Sequence, residues 1–70
     1  MEKNLVLEKL RKKNNFTYQE MADFIGVSKP YYWQLENNQR RLYYDLAVKI
    51  ARALRTKPDE LFYHQYENDK

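Results

Sequence analysis

Apolar residues recur at intervals of three and four along most of the chain. Leu7 and Leu10 share a stripe with Arg11; Met21, Ala22 and Ile25 form a second group, Tyr32 and Leu35 a third, and Tyr44, Ala47, Ile50, Ala51 and Leu54 a fourth. That period matches one face of an α-helix, so the pattern predicts four helices. A short fifth begins at Pro58, where Asp59 and Glu60 place carboxylates at the positive end of the helix. Thr17 with Glu20 three positions on is a capping box ahead of "MADFI", and Gly26 falls just past that helix, where a left-handed backbone is wanted. Ser28 caps the next helix, and Pro30 lies in its first turn, where its missing N–H loses no bond. The stretch "GVSKPYYWQLENNQRR", residues 26–41, therefore reads as a helix end, a turn of about three residues and a new helix.

The new helix, from Lys29 to about Asn37, is unusual on its outer side. A turn of about 100° per residue places Tyr32, Leu35 and Glu36 on one stripe and Pro30, Trp33, Gln34 and Asn37 opposite, with Tyr31 and Lys29 on the two shoulders. Tyr32 packs inward, whereas Trp33 and Tyr31 face outward, where bulky rings serve no folding purpose. The outer face has no Asp or Glu, the residues excluded from a surface that meets phosphate. Gln34 can hold an adenine edge with two hydrogen bonds, Lys29 can reach guanine acceptors or a phosphate, and the Pro30 ring offers an apolar contact to a thymine methyl. The ordinary alternative is a solvated helix with this composition by chance.

Composition narrows the function. A chain of 70 residues is one domain that buries only about 60% of its unfolded surface, which leaves no room for a cofactor fold or a deep catalytic cleft. It has no cysteine, so disulfides and thiolate metal sites are excluded and a reducing, cytoplasmic setting is expected. "MEKNLVLEKLRKKNN" has one short apolar cluster followed by charges, neither a secretory signal nor a membrane span, and a soluble protein is expected. The net charge of +3 lies entirely in residues 1–41, where eight Lys/Arg face five Asp/Glu against five and five afterwards, a mild bias toward nucleic acid. His64 is the only histidine and sits in a polar tail, and no carboxylate pair has an apolar pocket to shift its pKa; no enzyme, metal site or cofactor is expected.

The segment "FTYQEMADFIGVSKPYYWQLENNQRRLYYDLAVKIARALRTKPDELF" resembles the helix-turn-helix domain of the phage repressor and Cro type, the xenobiotic-response-element family. The match runs from about Leu7 to Phe62 and rests on the Thr cap of the second helix, "MA" within it, "GVS" in the turn, "Y..LEN" in the third helix, and "A.KIA.AL" and "PDELF" at the end. The resemblance implies a compact all-α, five-helix, lambda-repressor-like fold, here residues 1–63 with a short polar tail at 64–70, in which the third helix enters the major groove and the second lies across the backbone. It also implies a buried ion pair between Arg11 and Glu36, in agreement with the stripe that turns Glu36 inward. Base edges then fall to Lys29, Pro30, Tyr31, Trp33 and Gln34, and phosphates to Thr17, Tyr18, Ser28, Asn37, Arg40 and Arg41. Trp33 either packs on the sugar-phosphate edge or braces Gln34. Lys9, Lys12 and Lys13 read as a solvated face, with Lys13 alone in reach of DNA. Four positions depart from the family pattern: Tyr18 replaces a phosphate-binding Gln, Asn38 replaces a Gly, and Arg55 and Lys57 replace Gly and Ser/Thr before the fifth helix.

The expected function is a sequence-specific regulator of transcription, a repressor acting by occlusion, with activation by touching polymerase as the alternative, that binds double-stranded DNA as a homodimer on a palindromic operator with half-sites about 34 Å apart. With no second domain in the 70 residues, the dimer seam is sought at the end of the fourth helix, the fifth helix and "LFYHQY", unless Phe62 packs on the first helix instead. Two rivals share these residues. One is an antitoxin or small adaptor of the same fold. The other is a single-strand binder in which Tyr18, Tyr31, Trp33 and Tyr43 stack bases beside Lys and Arg.

Overall fold

A computed structural model describes residues 3–62. The chain forms five helices: α1 (Leu5–Lys13), α2 (Tyr18–Ile25), α3 (Lys29–Glu36), α4 (Tyr44–Leu54) and α5 (Pro58–Leu61). The periodic residues converge as the pattern requires, with Leu7, Met21, Ala22, Ile25, Tyr32, Leu35, Ala47, Ile50, Ala51 and Leu54 all in one core. Leu42, Leu61 and Phe62 complete it. Phe62 thus belongs to the domain's own interior, while Tyr63, His64, Tyr66 and the expected tail lie outside the described residues. Among those described, no helix is long and apolar enough to cross a membrane.

Tyr44 corrects the expectation for the fourth stripe. It shares the spacing of Ala47 and Ala51, yet it is 61% exposed. Tyr44 is the first residue of α4, so the stripe passes beyond the edge of the core before the helix reaches any neighbour that could cover the ring. Periodicity assigns a face to a residue, but burial needs something opposite that face.

The ends of α1 to α4 follow one device. Asn15, Gly26, Asn38 and Arg55 each adopt a left-handed backbone, with φ of 60°, 76°, 56° and 57°. After each of them the next N–H reaches back to a carbonyl of the last turn: Phe16 to Arg11, Val27 to Ala22, Gln39 to Gln34 and Thr56 to Ala51. This closure satisfies carbonyls that a helix end otherwise leaves open. Asparagine tolerates the conformation by local hydrogen bonding, whereas arginine bears the full steric cost of its Cβ, about 1–2 kcal/mol. Start signals are equally explicit: Asn4, Thr17 and Ser28 accept from the N–H groups of Leu7, Glu20 and Tyr31.

One polar cluster crosses the core. Glu36 is fully buried and Arg11 is 8% exposed. Arg11 donates from Nε to Glu36 Oε1 at 2.8 Å and from Nη2 to Oε2 at 3.1 Å, so the pair is bidentate. Arg11 Nη1 also donates to the Phe16 carbonyl at 2.8 Å, and the Tyr32 hydroxyl donates to Glu36 Oε1 at 3.1 Å. The Tyr18 ring closes the cluster from outside, its centroid 4.3 Å from the Arg11 guanidinium carbon. The bond to Glu36 holds the Arg11 guanidinium above its ordinary pKa, against the opposing effect of desolvation. Burial, with the adjacent Glu36 charge, pushes the Tyr32 hydroxyl far above the usual tyrosine range. Among the described residues no buried side-chain polar atom is left unpartnered.

Two stability measurements follow from this construction. Removing either partner leaves the other charged and buried, so Glu36→Ala or Arg11→Ala is expected to destabilise by about 3–5 kcal/mol, much of the stability a small domain has. Urea denaturation showing a loss below about 1 kcal/mol for both would mean that the pair behaves as an exposed one. Arg55→Gly is expected to act oppositely. Relief of the left-handed strain outweighs the extra entropy of an unfolded glycine, a net gain of about 0.5–1 kcal/mol that thermal unfolding would register.

Candidate nucleic-acid interface

The turn between α2 and α3 is built by two caps and one glycine. Thr17 Oγ1 accepts from Glu20 N at 3.1 Å while Glu20 Oε1 accepts from Thr17 N at 2.9 Å, which completes the capping box. Ser28 Oγ accepts from Tyr31 N at 3.2 Å and fixes the first turn of α3 with Pro30 inside it. Both hydroxyls remain at the surface beside exposed Lys29 and Pro30. On the inner side, Tyr32, Leu35 and Glu36 are buried, as the helical stripe requires.

The outer side of α3 carries no negative charge, because its single carboxylate, Glu36, is turned into the core. Trp33 stands 39% exposed near the middle of that side. Asn37 follows the last helical residue rather than extending α3, and its Nδ2 donates to the Trp33 carbonyl at 2.9 Å, which keeps the amide along the same face. Lys29, Pro30, Trp33, Gln34 and Asn37 therefore lie on one surface, with Ser28 at its start.

Gln34 and Arg40 were expected to act separately, one on bases and the other on the phosphate chain. They are joined. Arg40 Nε donates to Gln34 Oε1 at 3.0 Å, and the Arg40 guanidinium carbon lies 4.2 Å from the centroid of the Tyr31 ring. Tyr31, Gln34 and Arg40 make a single unit in which a cation from the loop folds back over the helix. The left-handed Asn38 turns the chain between them. Arg41 is exposed and makes neither contact. No periodic pattern announces this unit, because Arg40 belongs to no helix.

Tyr18 is drawn elsewhere. Its ring is partly buried, covers Arg11 and lies 6.1 Å from the Tyr32 ring, so its first role is to roof the buried pair. Sequence reasoning also missed Asn4, whose position before an apolar run was the available signal. Asn4 caps α1, its Nδ2 donates to the Leu61 carbonyl at 3.0 Å, and its N–H donates to the Glu36 carbonyl at 2.8 Å. Through it the end of α3 is tied to α1 and α5. Two shallow surface clefts, one lined by Asp23, Phe24, Lys49 and Arg52 and the other by Lys13, Arg55, Lys57 and Glu60, include no residue of α3.

Comparison with known proteins agrees with this geometry. The restriction-modification controller protein C.AhdI from Aeromonas hydrophila superposes with a TM-score of 0.77 at 29% identity, over 84% of this chain and 89% of that one. The clp gene regulator ClgR from Corynebacterium glutamicum shares the fold, with a TM-score of 0.77 at 22% identity over 84% of this chain; the match spans 63% of ClgR. No curated protein matches the sequence. The helix-turn-helix family pattern matches residues 7–61, from the buried Leu7 of α1 to the buried Leu61 of α5, and the chain belongs to that Cro/C1-type helix-turn-helix family of DNA-binding regulators.

Proposed function

We propose that the protein is a sequence-specific repressor that binds double-stranded DNA in the cytoplasm, inserting the outer face of α3 into the major groove. The observation that carries this reading is the acid-free outer face of α3, flanked by exposed Lys29, Arg40 and Arg41, on a helix whose only carboxylate is locked in a buried ion pair. A face built this way attracts a polyanion, and its orientation is set by the core rather than by the ligand. Lys29, Pro30, Tyr31, Trp33 and Gln34 are the base-facing set. Thr17, Ser28, Asn37 and Arg41 flank it as phosphate contacts, with the Tyr18 hydroxyl at the edge of that row.

One α3 reads only a few base pairs, so useful affinity requires two copies on a palindromic operator. Repression then follows from occupancy of the promoter. The burial of Phe62 removes one ring from the candidate seam and leaves the surface of α4 and α5 to form it.

Salt dependence on two kinds of duplex tests the reading. Arg41→Ala should weaken binding to a selected site and to random duplex by the same factor and lower the slope of log K against log salt by about 1. Trp33, the single tryptophan, reports directly on α3, and its fluorescence should change when duplex is added. Sedimentation with a full palindrome should show two proteins per duplex. A one-to-one complex protecting one half-site would overturn the dimer and favour an adaptor role. Preference for single strands would favour base stacking on Trp33 and the exposed Tyr43 instead.

A further inference from the structure

We propose that Arg40 is a base-reading residue that selects guanine, and that Gln34 acts on DNA chiefly as its positioning residue. The inference rests on the reading of α3 as a major-groove helix and deepens it. An adenine-reading glutamine needs both ends of its amide, the oxygen to accept from the adenine amino group and the nitrogen to donate to N7. In this protein Gln34 Oε1 already accepts from Arg40 Nε at 3.0 Å. One of the two lone pairs of that oxygen is thereby taken and the amide is turned toward the loop cation, so what it presents next to the groove is a guanidinium.

The arrangement leaves the right edge of that guanidinium free. An arginine has five N–H donors in a planar fork, and bonding through Nε leaves the parallel pair on Nη1 and Nη2. That pair matches the O6 and N7 acceptors of guanine, the commonest specific contact in the major groove. Tyr31 supports one face of the group at 4.2 Å by cation–π contact, so the plane as well as the position is held. Arg40 as a whole remains exposed, so the fork is accessible. Held by Tyr31 and Gln34, the long side chain has less freedom to lose on binding than an unrestrained arginine.

The adjacent residue argues against a purely phosphate role. Arg41 lies in the same loop, is exposed, and stacks on nothing in α3, as a flexible phosphate contact would. Arg40 instead folds back from the loop onto Gln34, a residue of the base-facing set. Two neighbouring arginines thus divide the work. The pre-formed unit also differs from the outer-face pattern read from sequence, in which Gln34 belongs to the base-contacting set and Arg40 to the phosphate contacts.

Selection from a random duplex library, followed by titration of the best site, tests the proposal. The consensus should contain a guanine that Arg40→Ala and Arg40→Lys no longer prefer, with a loss on the selected site of about 5- to 150-fold. Replacing that guanine with 7-deazaguanine, which lacks the N7 acceptor, should weaken the wild type and leave Arg40→Ala unchanged. Inosine, which keeps O6 and N7, should leave the wild type unchanged. Gln34→Ala should reduce the guanine preference in part, and Gln34→Glu, whose carboxylate still accepts from Arg40, should restore the preference while lowering binding to every sequence. Adenine at that position, abolished by Gln34→Ala but not by Arg40→Ala, would overturn the proposal in favour of amide reading. Equal weakening of selected and random duplex by Arg40→Ala, with no effect of 7-deazaguanine, would make Arg40 a phosphate contact. A library that yields no preferred sequence would remove the major-groove reading itself, and this proposal with it.

Discussion

The bidentate bond between Arg11 and Glu36 is the constraint on which the rest of the domain depends. A core this small has few ways to fix how its helices cross, since apolar contacts are non-directional and tolerate sliding. A guanidinium facing a carboxylate tolerates much less. Arg11 and Glu36 meet through two parallel hydrogen bonds, while the third arm of Arg11 reaches the Phe16 carbonyl and the Tyr32 hydroxyl takes up Glu36 again. The angle of α3 to α1 and the turn into α2 are therefore set by one cluster. Well-packed apolar residues of equal volume can stabilise as much as a buried ion pair. What they do not supply is a register for α3, and the register decides which residues face outward.

The same carboxylate shapes the surface from which it is absent. An α-helix of eight residues has about two turns, so each residue assigned to the core leaves fewer for the outer face. Burying Glu36 with Tyr32 and Leu35 leaves that face free of acid without any need for compensating bases elsewhere on the helix. Its positive potential is then supplied by Lys29 at one end and by Arg40 and Arg41 at the other. Stability and ligand preference are thus two results of one choice of register.

Most of this was legible from the sequence because the relevant rules are local. Thr17 with Glu20, Ser28 with Pro30, and Gly26 are signals contained within one turn of helix, and each formed the expected structure. The inward direction of Glu36 followed from rotation about the helix axis, and the match over residues 7–61 fits the motifs that suggested the family. The parts that were not legible depend on what stands opposite a residue. Tyr44 has the spacing of a core residue but no neighbour over the first turn of α4, so it is exposed. Leu42 and Phe62 lie outside helices and have no period to betray them, yet the chain carries both into the core. Asn4 caps α1 without having been read as a cap, and its bonds to Leu61 and Glu36 join the two ends of the domain to α3.

The link between Gln34 and Arg40 belongs to this second kind, and the way α3 ends explains it. Gln39 N–H donates to the Gln34 carbonyl at 2.8 Å, and Asn38 N–H to the Leu35 carbonyl at 3.4 Å, a closure that needs the left-handed turn at Asn38. That turn reverses the chain beside Gln34, so the residue that follows Gln39 emerges next to a side chain only six residues behind it. Arg40 can then reach the Gln34 amide and the Tyr31 ring together, which an extended exit from the helix would prevent. Asparagine at position 38 keeps the turn accessible without the flexibility a glycine would bring to the unfolded chain. The geometry of the outer face is consequently set twice, by the buried pair that orients α3 from within and by the helix end that returns a loop cation to its surface.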